Sequence, residues 1–293
     1  MKINHINHHN IDLDAYTKCI EKSEQKRIYA LPWFLDIVSP NWSLLMADDY
    51  AYVMPLPTKK KFLLFPYIQQ PSICHQLGIF STKKLSEEIF AEFINAIPYK
   101  NHEIRFNSDN KFNYTKAGVC TNYIMNLNLP YSSIKSKYSH KKLSCVDSVR
   151  QAKIIFETTT NYEMYSEFIT SNSISKRNLN SVKLLDPILK EAQKRGLFEL
   201  WIAKSDNNIP LASVCILKYG NRFYYTTPAA SSKGQKENAL ILLIDHFIKS
   251  YSGQNAILDF VASSSPTSAH FIEGFGAIFE SYLRIYRRSK LPI

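Results

Sequence analysis

The stretch Arg222–Ala277 limits what this chain can fold into more than any other. Arg222–Thr227 (RFYYTT) is aromatic and β-prone, and Ala256–Phe260 (AILDF) is an apolar run of strand length. Between them, Asn238–Ser252 places Leu240, Leu243, Ile244, Phe247, Ile248 and Tyr251 on one face at helical spacing, and Gly253 supplies a stop. The loop Ser231–Glu237 (SSKGQKE) then feeds backbone N–H groups into a helix N-terminus, an arrangement that holds phosphate or another anion. The plainer reading of the same loop is a polar connection.

This order resembles the acyl-donor half of the GNAT acyltransferase superfamily, and Ser268–Ala277 (SAHFIEGFGA) is similar to that superfamily's late helix. The family's glycine signature is reduced here to SSKGQKENA, with Gly234 in place. The resemblance implies an acyl-coenzyme A co-substrate held by Thr226, Thr227, Lys233, Gly234, Gln235, Lys236 and Asn238. It also implies that amides near Tyr225–Thr227 face the reacting carbonyl, while Pro228 has no N–H to offer.

The two halves of the chain repeat one order: helices, meander, helix, strand, strand. In the first, Leu13–Gln25 and Pro32–Val38 read as helices, with Asp12 an N-cap and Pro32 in a first turn. WSLLMA, YAYVMPLP and KFLLFPYIQQ follow as strands, with turns at Asp48-Asp49 and Thr58-Lys59-Lys60. The helix LSEEIFAEFINAI comes next, then the strands HEIRF and NYIMNLNL. In the second half FELWIAK, IPLASVCILK and RFYYTT form the meander, and SYLRIYRR is the last strand. A meander followed by a β-α-β crossover predicts a mixed sheet with helices on its faces. The expected fold class is therefore α/β, with mixed α+β sheets, as tandem duplicated GNAT-like domains with a cleft between them. The expected limits are 1–130 for an acceptor-side domain, 131–153 for a basic junction helix and 154–293 for a donor-side domain.

The junction carries Lys135, Lys137, His140, Lys141, Lys142 and Arg150. Duplicated GNAT-like halves joined by such a segment resemble the FemAB peptidyltransferase branch, loosely through Lys141, Lys142, Val149, Arg150 and Lys153. Cys74–Ser81 (CHQLGIFS) is similar to members of this branch as well. Fem ligases carry a long helical hairpin that has no counterpart here, which places a small acyl donor ahead of tRNA.

Lysine and arginine exceed aspartate and glutamate by 11, so the surface attracts anions. The five cysteines are scattered and form no Cys-x-x-Cys pair, so neither a zinc site nor a disulfide framework is expected, and no metal is assigned. His5, His8 and His9 sit in an Asn-rich segment without a carboxylate scaffold and read as a solvated terminus. No apolar run reaches the ~18 residues of a membrane span, and no signal peptide is recognised, so a cytoplasmic protein is expected.

For the chemistry, Tyr225 and Asp259 are the catalytic candidates; Asp259 serves equally as a cap for the turn after its strand. Glu199 is the other acid near the central strands, and His246 reads as structural. Gln69, Gln70, His75 and Gln76, with Lys141, Lys142 and Arg150, are the candidate acceptor ligands, the glutamines reading equally well as a self-stabilised loop. The expected acceptor is a small-molecule amine bearing phosphate or carboxylate. Three readings stand: an N-acyltransferase (or aminoacyl transferase), a non-catalytic descendant that binds an anionic ligand or partner, and a nonspecific nucleic-acid binder.

Overall fold

The computed structural model describes residues 1–61, 65–115, 117–148, 154–174, 179–261 and 266–288. It divides into two compact units: Met1–Thr121 with the chain from Ser281 on, and Asn122–Glu280.

The first unit opens with β1 (Asn4–Ile6), α1 (Leu13–Lys22) and α2 (Pro32–Val38). Asp12 caps α1 by accepting from the amides of Asp14 and Ala15, and Pro32 occupies the first turn of α2. Strands β2 (Ser43–Ala47) and β3 (Tyr52–Leu56) form an antiparallel hairpin through Asp48, Asp49 and Tyr50, all three with positive φ. Next come β4 (Thr58–Lys61), β5 (Phe65–Gln69) and β6 (Phe80–Ser81), followed by α3 (Glu87–Asn95), β7 (His102–Arg105) and β8 (Ala117–Asn126). The expected turn at Thr58-Lys59-Lys60 is instead strand β4, antiparallel to β5; Pro57 ends β3's run and a second hairpin starts at once. Helix α3 carries the chain from β5 to β7, which pair in parallel at Ile68↔His102 and Gln69↔Glu103. Phe90 and Phe93 from α3 are fully buried with Ile79, Ile104 and Phe106.

The second unit holds α4 (Tyr131–Lys135), α5 (His140–Ser148), β9 (Ile155–Thr159), α6 (Ser166–Ser171), α7 (Leu179–Lys194) and β10 (Phe198–Lys204). It continues with β11 (Pro210–Tyr219), β12 (Arg222–Ala230), α8 (Ser232–Lys236), α9 (Ala239–Tyr251), β13 (Ile257–Asp259), α10 (Pro266–Glu273) and β14 (Ile278–Arg287). Strands β9 to β12 form an antiparallel meander, and α9 then returns the chain so that β13 lies parallel to β12. Helix α9 is apolar nearly all round, with every residue from Ala239 to Ile244 buried, and so packs in the core rather than over it. Each such aliphatic side chain contributes about 1.5–3 kcal/mol on burial. The one acid on its buried length, Asp245, accepts from the Tyr131 hydroxyl at 2.7 Å, which pins α4 against α9.

The repeat is therefore a parallel strand pair joined through a helix, β5-α3-β7 and β12-α9-β13. The final strand of each repeat is exchanged. Residues of β8 pair with β13, and β14 pairs with β7 from Arg284↔Arg105 to Arg287↔His102. For this reason the division falls inside β8, not at the expected junction 131–153, and β14 from Ser281 on belongs to the first unit. A ten-residue strand reaches about 33 Å, long enough to serve both. The expected junction helix is two short helices, α4 and α5, with a break at Ser136–Ser139.

Candidate active site at the divergence of two parallel strands

Strands β12 and β13 pair at only three positions, Arg222↔Ile257, Phe223↔Leu258 and Tyr224↔Asp259, and then part. Just beyond, β12 is bulged. Cys215 pairs with Thr226 and Ser213 with Ala229, so Thr227 and Pro228 together face the single residue Val214. A bulge is one of the few places where a strand admits a proline such as Pro228. Thr227 takes φ +42°, and on the other branch Val261, two residues past Asp259, takes φ +50°. Both are β-branched and both sit in the left-handed region, a strained combination that gathers at functional sites. Farther along, residues 172–174 take over the free flank of β12. The Ala230 amide donates to the Asn172 carbonyl, and the Ile174 amide to that of Pro228, each at 3.0 Å. The rings of Tyr225 and Phe260 stand 5.4 Å apart where the strands separate.

Asp259 is a buried anchor. It is 2% exposed; one oxygen accepts from Arg222 at 2.7 Å, the other from Asn122 and the Val261 amide at 2.9 Å each. Arg222 reaches on to Glu280 at 2.9 Å. Burial alone would lower the guanidinium's pKa, but Asp259 and Glu280 outweigh it and keep Arg222 firmly charged. These contacts hold the last paired rung of the divergence in place. Glu199 is likewise engaged, by Lys218 at 2.6 Å, the Tyr251 hydroxyl at 2.7 Å and Trp201 at 3.1 Å. Burial pushes its carboxyl up, and the three donors bring it below the ordinary glutamate range. His246 stacks on Phe156 at 4.4 Å, with its pKa lowered by burial.

The loop after β12 is folded into a turn of helix. Ser231 caps α8 and its hydroxyl accepts from the Gly234 amide at 3.1 Å, so that N–H is already taken. Gly234 has an ordinary φ, and its lack of a side chain serves another contact: a Cβ there would lie 2.0 Å from the Leu211 carbonyl oxygen. Gln235 donates to the Ala230 carbonyl, Lys233 pairs with Glu237 at 3.8 Å, and Lys236 is exposed. Asn238 adopts the left-handed conformation (φ +55°) as α9 begins, and its side chain caps nothing. Thr226 donates to the Cys215 carbonyl at 3.0 Å. The structure thus gathers Tyr225, Thr226, Thr227 and Asp259 around the strand divergence, and places Lys233–Asn238 along the chain beyond β12.

Of the acceptor candidates, Gln69 is exposed and accepts from Lys59. Gln70 is buried, donating to the Cys74 carbonyl and accepting from the Arg105 amide, both at 2.8 Å. Gln76 accepts from Arg27 and from the Ser108 amide, both at 3.1 Å, and His75 packs edge-on to Tyr29. The two buried glutamines are spent inside the first unit, as in the self-stabilised loop reading. Lys141 is exposed, whereas Lys142 is 5% exposed, its ammonium 3.4 Å from the Phe271 ring centre and 4.2 Å from that of Phe275. Those π faces favour the cation, but burial prevails and draws its pKa down to about 7. Gly274 leaves room for this side chain, and Gly276 (φ +76°) for Lys137. Arg150 lies outside the described residues. His5 bonds Ser43 and His8 bonds Asp36, each at 2.9 Å. Among the described residues no helix is long and apolar enough to cross a membrane.

The bulge had one local signal, Pro228 within an otherwise β-prone run. The partners Arg222, Asn122 and Glu280, distant in sequence, had none.

No family model and no curated protein matches this sequence. Among solved structures, FemX is similar with 12% identity over 97% of both chains and a TM-score of 0.68. A conserved protein of unknown function from Bacteroides thetaiotaomicron has 10% identity over 94% of this chain and 97% of its own, with a TM-score of 0.61. L-PGS from Bacillus licheniformis has 9% identity over 95% and 93%, with a TM-score of 0.59. At such identities the likeness is one of fold alone, shared with FemX and L-PGS.

Proposed function

We propose that this chain, with its tandem GNAT-like fold, transfers an acyl or aminoacyl group to an amine, the donor's acyl arm lying along β12 where β13 leaves it. The observation that carries this reading is the divergence itself: three paired rungs, then a bulge and two strained β-branched residues. The short stretch of β12 between its last rung with β13 and its contact with residues 172–174, Tyr225–Thr227, suits the end of an extended, amide-bearing arm.

The first donor to test is an acyl-coenzyme A, and the acceptor is a small-molecule amine, with phosphate or carboxylate groups favoured by the positive surface. In the transfer, the amine nitrogen attacks the thioester carbonyl carbon, a C–N bond forms and the C–S bond breaks. The proton released by the amine balances the departing thiolate. The protein's part is to position the two reactants and stabilise the oxyanion.

The test is thermal shift with acetyl-, succinyl- and longer acyl-coenzyme A at two salt concentrations, followed by mass detection of the acylated product from an amine library. Stabilisation that depends on the acyl group, with turnover, supports the reading. Stabilisation by any polyanion, lost with salt, removes it. The second reading, a non-catalytic binder, draws on the internal engagement of Asp259, Glu199 and the Gly234 amide.

A further inference from the structure

Thr227 combines three features found together at no other residue among those described. It occupies the bulge, its φ of +42° is costly for a β-branched side chain, and its hydroxyl is buried without a hydrogen-bond partner. The residue is 7% exposed, so little water surrounds it. The adjacent Thr226 shows the ordinary solution, donating its hydroxyl to the Cys215 carbonyl. A buried hydroxyl without a partner is unfavourable, and so is the left-handed backbone that carries it. Both costs end if the Thr227 backbone relaxes toward an extended φ and its hydroxyl turns to an acceptor. The structure already concentrates the means for such a change here. β13 has left the flank of β12 before residues 172–174 take it over at Pro228, Pro228 constrains the chain on one side, and Val261 sits in a second left-handed position on the opposite branch.

We propose that the Thr227 bulge is a two-state element and that Thr227 Oγ1 is the side-chain donor to the carbonyl of the acyl group. Resting on the acyl-transfer reading, this gives the Thr227 hydroxyl a role in it and adds a motion. An acyl carbonyl entering the divergence supplies the acceptor that the hydroxyl lacks, and relaxation of the backbone brings the hydroxyl to it. The relief of strain accompanies binding of the acyl group specifically. Free coenzyme A, which has no acyl carbonyl, leaves the bulge as it is.

The experiment compares acetyl-coenzyme A and free coenzyme A as probes, by thermal shift and calorimetric titration, on the wild type, Thr227→Val and Thr227→Ser. Valine keeps the shape and the β-branch and removes only the hydroxyl. Without probe, Thr227→Val should melt at or above the wild-type temperature, because an unpaired buried hydroxyl is gone. It should bind free coenzyme A as the wild type does but lose about tenfold in affinity for acetyl-coenzyme A, the scale of one neutral hydrogen bond. Thr227→Ser should keep the preference. A Thr227→Val protein that melts several degrees lower without probe would show that the hydroxyl serves the fold, and the proposal would be overturned. An unchanged preference for acetyl-coenzyme A in Thr227→Val would overturn it too, while leaving the acyl-transfer reading intact. If the wild type binds neither probe, the coenzyme A reading itself fails, and the proposal falls with it.

Discussion

Gly234→Ala tests whether the glycine after β12 serves the fold or a ligand. In the structure a Cβ at this position would meet the Leu211 carbonyl oxygen at 2.0 Å and its carbon at 2.7 Å. These are backbone atoms of β11 and cannot swing aside, so α8 must lift. Lifting strains the Ser231 cap on the Gly234 amide and the Ser231 amide's own bond to Leu211 at 2.9 Å. Forcing extra volume into a packed contact costs about 1–3 kcal/mol. A lost cap costs about 1 kcal/mol more. Alanine returns up to about 1 kcal/mol through its better helix propensity. The net expectation is a loss of about 2 kcal/mol, or roughly 4–8 °C in melting temperature at ~2–4 °C per kcal/mol for a chain of this size. Urea unfolding without any ligand present measures it directly. If Gly234→Ala is as stable as the wild type or more so, propensity outweighs the contact and the packing argument is wrong. A glycine kept only for close approach of a phosphate would behave in that second way.

Arg222→Met should cost about 3–5 kcal/mol in urea unfolding, since it leaves buried Asp259 and partly buried Glu280 without their cation. A loss under about 1 kcal/mol would mean that the two acids find other partners or protonate cheaply. Lys142 gives a pH signature. Its pKa is about 7 in the fold and ordinary for lysine when unfolded, so between these values the unfolded chain holds the extra proton and stability rises with pH. Below pH 7 both states are protonated and the penalty is fully present. Lys142→Met should therefore be the more stable protein at pH 6, with its advantage shrinking toward pH 9; an advantage constant with pH would refute the assignment.

The elements with strong local pattern were legible in the sequence. Pro32–Val38 was delimited to the residue, and the helix expected over Asn238–Ser252 runs Ala239–Tyr251. Its apolar period also named the right core: Leu243, Ile244, Phe247 and Ile248 are all buried. What escaped depends on partners far along the chain. Thr58-Lys59-Lys60 has turn composition, yet pairing with β5 makes it a strand. Asp259 reads equally as a catalytic acid or a turn cap until Arg222, Asn122 and the Val261 amide converge on it. Gly234 looks like a phosphate-loop glycine until Leu211 is brought against it. Local spacing states what a residue can do, and the tertiary neighbour decides which of its roles is taken.

The exchange of last strands has a consequence for how the protein is made. During synthesis β7 emerges early, but its partner β14 follows roughly 180 residues later, about 9–36 s at common elongation rates. Until then the ribosome carries a first unit with one strand edge uncovered, and such edges invite pairing with other chains. A message truncated anywhere before Ser281 leaves the first unit without the strand that covers β7. The first unit is therefore whole only once β14, which also carries Glu280 to Arg222, has been made.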